Sequence, residues 1–377
     1  MMNPDENNNI ISDDAPKCEK TAENTCFFGG DISFAPPEEY DDTPDKKKDI
    51  RSVFSMMHFS LFVYLLVSQG ASILILLFAS LLFVASTVDA LSVNADFLLG
   101  LNAVCQYLIA FPIFVLLTFR IKPNKCAVKS SISIGKYGLF IIVAEGAMLI
   151  GSLIATLISR LVNGIFGVSS DSAIDSLLGT SNPWVVFVCV CVLAPIFEEL
   201  IFRKILIDRL STFGDGIAIV FSAVAFGLFH GNITQFIYAT AVGIILGYLY
   251  TLTRRIEHTV VLHAILNFLG GLVPMGVEWI EGESQRLHNL AKEGQQINTA
   301  LVSLYDILIL SYNILMILFM VAAVVAIVIA IVKKKIRIGK CEDYNSATVV
   351  KTGVFNAGSI LFIALSLVLM LISLLSI

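Results

Sequence analysis

The fold is decided by Trp184-Val-Val-Phe-Val-Cys-Val-Cys-Val-Leu-Ala-Pro195-Ile196 and the seven residues after it, Phe197-Glu198-Glu199-Leu200-Ile201-Phe202-Arg203. The first part is apolar enough to lie in a bilayer. The second places two adjacent carboxylates and an arginine at its end. A charge near the bilayer centre costs about 2.5–3.5 kcal/mol on insertion scales, so charges there are rare and mark function by default. Two more polar stretches follow in equally apolar surroundings, Phe226-Gly-Leu-Phe-His230-Gly-Asn232 and His263-Ala-Ile-Leu-Asn267.

Composition extends this reading to the whole chain. Of 377 residues, 56% are hydrophobic and 15% charged, against roughly 25% charged in soluble domains. Mean hydropathy is +0.83. The expected fold is an all-α polytopic membrane protein of about nine transmembrane helices, embedded in the lipid bilayer, with its polar site on the fourth, fifth and seventh. Net charge is -5, and the acidity is concentrated near the N-terminus, so nothing points to a nucleic-acid partner. Cys18, Cys26, Cys105, Cys126, Cys189, Cys191 and Cys341 show no zinc-ligand spacing, and a disulfide between Cys18 and Cys26 is not expected. No His-Glu-x-x-His or Gly-x-Ser-x-Gly pattern occurs. No metal and no other cofactor is therefore expected.

Residues 1–49 are rich in Asn, Asp, Glu and Pro and lack the pattern of a signal peptide; they are expected to be a disordered, acidic, cytosolic segment. Residues 50–166 hold the N-terminal transmembrane helices, 183–275 the core, 276–306 a polar extracytoplasmic loop and 307–377 the C-terminal transmembrane helices. Spans are expected near 53–86, 97–119, 137–166, 183 onward, 216–230, 233–252, 258–273, 307–332 and 354–377. Five basic clusters then fall on the side of the N-terminus: Lys46 to Arg51, Lys122 to Lys136, Arg203 to Arg209, Arg254 with Arg255, and Lys333 to Lys340. The positive-inside rule makes that side cytosolic. His58, near the start of the first span, is expected at the interface.

Spacing on the helices divides the labour among the polar residues. Glu199 and Arg203 are four apart, on one face, with the acid first, which is the better order. Glu198 lies about 100° away around the axis, beside Phe202. Glu199 can thus be held ionised by Arg203 while Glu198 is left available as a general base or acid. Pro195 is expected to free carbonyls toward the site. His263 and Asn267 share a face, as do Phe226 and His230, with Phe226 expected to pack under the His230 ring. Counted from a turn at 211–215, Glu198 and His230 come level at ~18 and ~21 Å. The tight Gly231-Asn232 turn argues instead for the far end of the membrane. Glu145, in the third span beside Gly146, is expected to pair with another helix.

Glu-Glu-x-x-Phe-Arg, then Phe-x-x-x-His, then His-x-x-x-Asn, each on its own membrane helix, resembles the CPBP family of intramembrane glutamic endopeptidases, which includes the CAAX prenyl proteases and bacteriocin-processing proteins. The resemblance covers about residues 183–271. It implies metal-free hydrolysis of a membrane-associated peptide or protein, with Glu198 and His230 activating water and His263 and Asn267 forming an oxyanion hole. Glu199, Arg203, Phe202 and Phe226 would support them. Eukaryotic members remove three residues after a prenylated cysteine, and the Phe226-Gly-Leu-Phe-His230 form resembles the bacterial branch, which acts in peptide maturation or self-immunity. A bacterial cell membrane is the implied location. The rival reading is a non-catalytic membrane immunity or partner-binding protein of the same fold. A proton-coupled transporter is a third, but the internal repeats usual in that class are not seen.

Overall fold

The computed structural model describes residues 43–84, 94–124, 129–166, 173–336, 338–339 and 344–375. Among them every regular element is helical. The helices are α1 (Pro44–Val84), α2 (Ala95–Thr118), α3 (Ile134–Phe166), α4 (Ala173–Thr180), α5 (Pro183–Phe213) and α6 (Asp215–Phe229), followed by α7 (Ile233–Thr253), α8 (Ile256–Lys292), α9 (Thr299–Val332), α10 (Ser346–Val354) and α11 (Ala357–Leu375). The protein is an all-α polytopic membrane protein. Eight of these helices, all but α4, α6 and α10, are long and apolar enough to cross a bilayer.

The fifth expected span, α6, has 15 residues. At the helical rise that is ~22 Å, short of a ~30 Å hydrocarbon core. A short helix is tolerated there because it is enclosed by protein: Ala218, Ile219, Ser222, Ala223, Phe226 and Phe229 are all buried. The turn after it is satisfied internally. Asn232 Oδ1 accepts from the Thr234 and Gln235 amides at 2.8 and 3.3 Å, and Gly231 supplies a φ of 59°. A tight turn does follow His230, as the Gly231-Asn232 pair suggests.

Packing follows from small residues at helix crossings. Gly227 of α6 lies against α7 so closely that a built Cβ would meet the Phe236 carbonyl oxygen at 2.8 Å. Gly243 of α7 lies against Ala223 in the same way. α7 sits between α6 and α3, and the first half of α8 lies on α5. α1 packs on both α2 and α11, and α9 packs on α3 and the second half of α8. The main core joins Phe54, Tyr64, Phe114, Phe202, Phe226, Phe229, Tyr250 and Phe362. At the end where α5 turns into α6, Gly214 takes a φ of 111°. Arg254 there bonds Asp215 at 2.5 Å and Ser211 at 3.2 Å, while Asp208 receives the Tyr250 hydroxyl at 2.8 Å. These bonds fix the ends of α5, α6 and α7 relative to one another.

Several expectations need correction. Residues 276–292 are not loop: α8 continues through them, and 299–306 are the start of α9, leaving 293–298 as the connection. The charged segment stays helical because it packs along α9, with Trp279 edge-on to Tyr305 at 6.5 Å and the Ser284 hydroxyl donating to Asp306 at 2.7 Å. α1 begins at Pro44, so 44–49 are helical, while 1–42, with Cys18 and Cys26, lie outside the described residues, as do Cys126 and Cys341. His58 is buried in the helix packing. It is 5% exposed, its Nδ1 donates to the Phe54 carbonyl at 2.9 Å, and the Ser359 hydroxyl of α11 lies 3.0 Å away.

Candidate active site

α5 delivers both glutamates, and its backbone is irregular on either side of them. Wide π-helical turns occupy Phe187–Leu193 and Leu200–Ile207, bracketing a regular turn at Ala194–Glu199. Such turns recur at functional sites because they redirect side chains. Pro195 has no N–H for the turn below it. The Val190 carbonyl, in that turn, accepts instead from Asn267 Nδ2 of α8 at 2.8 Å.

The two carboxylates have different surroundings. Glu199 is 0% exposed. Its Oε2 lies 3.1 Å from Arg203 Nε, and its Oε1 accepts from His263 Nδ1 at 3.0 Å. Arg203, also 0% exposed, reaches the Ser222 hydroxyl at 3.5 Å and lies over the Phe226 ring at 4.9 Å. Ser222 in turn donates to the Phe202 carbonyl at 2.7 Å. Glu198 has none of these partners. Its side chain is 12% exposed, and His263 Nε2 lies 3.7 Å from its Oε2. One imidazole therefore stands between the two acids, bonded to Glu199 and facing Glu198.

Phe226 is the hinge of the aromatic packing. Its ring meets His230 edge-on at 4.9 Å and His263 edge-on at 5.6 Å. It also meets Phe202 at 5.1 Å. His230 Nδ1 donates to the Phe226 carbonyl at 2.8 Å, which leaves Nε2 as the free nitrogen. No ion pair joins His230 to Glu198 among the described residues. His230 instead lines a recess of about 370 Å³ with Leu98, Leu177, Asn232, Gln235 and Ser373. Glu198, Glu199, His263, Asn267, Arg203, Phe202 and Phe226 thus form one cluster, with His230 joined to it through Phe226. Glu145 stays outside: it is fully buried on α3, and neither carboxylate oxygen has a hydrogen-bond partner. Among the described residues no group of three His, Cys, Asp or Glu is placed to hold a metal ion.

Sequence reading missed Ser222, which meets Arg203. It carries a faint signal: it is a lone hydroxyl in an apolar run, four residues before Phe226.

A family model described as Type II CAAX prenyl endopeptidase Rce1-like matches residues 180–269, the segment that contains every member of this cluster. That segment is similar to the type II CAAX prenyl endopeptidases, in agreement with the family that its motifs resemble. The match covers less than half of the chain and implies a CAAX-type intramembrane protease, a peptide-bond hydrolase. No curated protein and no solved structure gives a match.

Proposed function

We propose that the chain is a multi-pass intramembrane endopeptidase with its N-terminus in the cytosol, hydrolysing a peptide bond of a membrane-associated substrate through water activated by Glu198. Prenylated CAAX-type peptides are the first substrate class to consider, because that is the class named by the matched family. The observation that carries the reading is the unequal setting of two neighbouring acids. Glu199 is sealed between Arg203 and His263, whereas Glu198 is partly open and faces a ring nitrogen. Such separation of environments is how paired carboxylates take different roles.

In this scheme Glu198 accepts a proton from water as the water oxygen attacks the scissile carbonyl carbon. The carbonyl oxygen becomes an oxyanion. Asn267 spends one N–H on Val190 and keeps the other for that oxygen. The proton on Glu198 then passes to the leaving nitrogen, the C–N bond breaks, and a carboxylate and an amine result. His263, oriented by Glu199, holds Glu198 in place and shares the proton during the transfer. His230, which lines the recess, helps admit water to the site in this scheme. His263, 3.7 Å from Glu198, is taken as its immediate partner in preference to His230.

The reading is tested with purified protein in lipid nanodiscs. The probes are a farnesylated peptide ending in a CAAX sequence and its unprenylated counterpart, both in the presence of chelator. Release of the terminal tripeptide, followed by mass spectrometry, is the expected result. No cleavage of either probe contradicts it.

A further inference from the structure

His230 belongs to two neighbourhoods. Through Phe226, whose carbonyl it bonds at 2.8 Å, it joins the cluster around Glu198. Phe226 in turn meets His263 at 5.6 Å, and His263 lies 3.7 Å from Glu198. His230 also lines the recess of about 370 Å³, a volume within the roughly 300–1,000 Å³ of ligand sites. Three of the other walls come from outside the matched segment: Leu98 from α2, Leu177 from α4 and Ser373 from α11. These walls are held in place. The Asn182 amide donates to Asp96 at 2.7 Å, tying the residues after α4 to the start of α2, and the Ser181 hydroxyl donates to the Leu177 carbonyl at 2.8 Å. At the turn between α6 and α7, Asn232 Nδ2 donates to the Ser373 hydroxyl at 3.2 Å.

The lining chemistry says what the recess takes. Leu98 and Leu177 give it aliphatic walls, and unused hydrogen-bonding groups stand among them. Asn232 Oδ1 is taken by the Thr234 and Gln235 amides. The side-chain amide of Gln235, by contrast, makes no hydrogen bond among the described residues. A primary amide can give one hydrogen bond and accept another, which matches a peptide unit. The Ser373 hydroxyl accepts from Asn232 and keeps its own O–H to donate. A prenyl chain would bury these polar groups without partners, which is costly. A peptide residue with an aliphatic side chain satisfies both kinds of wall. We propose that the recess is a specificity pocket of the endopeptidase. It receives the first residue on the released side of the scissile bond, with the aliphatic side chain between Leu98 and Leu177 and the backbone on Gln235 and Ser373. This rests on the endopeptidase reading and deepens it: selectivity among substrates is set by α2, α4 and α11, which the matched segment does not contain.

The test gives purified protein in lipid nanodiscs three farnesylated CAAX peptides, with Ala, Leu or Phe as the first residue of the released tripeptide. The measurement is kcat/KM for each. Wild type should prefer Leu to Ala by at least about tenfold, as expected of an aliphatic pocket. Leu177→Trp narrows the recess and should cost the Leu peptide at least about tenfold relative to the Ala peptide. Leu98→Ala widens it and should shift the preference toward Phe, which decides the matter also if the Trp variant does not fold. Gln235→Leu removes the amide that bonds the peptide and should raise KM about 3–10-fold for all three peptides. Unchanged preferences in Leu177→Trp and Leu98→Ala, in an assay where Glu198→Gln is inactive, overturn this inference and leave the protease reading standing. Equal losses on all three peptides assign the two leucines a structural role and also overturn it. A wild type without Glu198-dependent hydrolysis removes both readings together.

Discussion

Glu199 orients His263. Its Oε1 accepts from His263 Nδ1 at 3.0 Å, which turns the other ring nitrogen toward Glu198 at 3.7 Å. Glu199 is itself held by Arg203, four residues along α5, with both side chains fully buried. The order of dependence is Arg203, Glu199, His263, Glu198, and it divides the residues that hold the site from the one proposed to do the chemistry.

Breaking the inner pair should therefore harm folding before chemistry. Glu199→Gln leaves the Arg203 guanidinium buried without its counter-charge, and losing one partner of a buried pair destabilises by about 3–5 kcal/mol. Yield and thermal midpoint in detergent should drop together with activity. Adding Arg203→Met to Glu199→Gln should restore much of the midpoint without restoring hydrolysis. An unchanged midpoint in Glu199→Gln would show that the pair is not buried as described.

Asn267→Ala removes the donor to Val190 and the spare N–H reserved for the oxyanion. The expected effect is about a 10²–10³-fold loss in kcat with little change in KM. A raised KM at constant kcat would place Asn267 in ground-state binding instead.

With the N-terminus in the cytosol and α1, α2 and α3 each crossing the membrane, the connections before and after α3 should lie on opposite faces. In spheroplasts, a cysteine at Lys129 should resist a membrane-impermeant thiol reagent, and one at Gly179 should react. Equal labelling of the two would contradict that topology.

Much of this was legible in the sequence, for identifiable reasons. Helical spacing alone pairs Glu199 with Arg203, and Phe226 with His230, because both are contacts within one helix. The seat of His263 between the two acids was not legible, because it depends on how α8 crosses α5. Residues 276–292 read as loop because Glu278, Glu281, Glu283 and Arg286 break the hydrophobic run. Their helix is held by Trp279 and Ser284 against α9, a contact no local pattern announces.

The most direct measurement is the rate of cleavage of the farnesylated CAAX peptide by Glu198→Gln. The substitution keeps the side chain's size, and a neutral amide is less costly to bury than a carboxylate, so insertion and thermal midpoint should match wild type. Hydrolysis should fall by at least the ~10²–10⁴-fold assigned to general-base catalysis. A correctly inserted Glu198→Gln protein that cleaves the peptide at the wild-type rate would contradict the proposal that Glu198 activates the water.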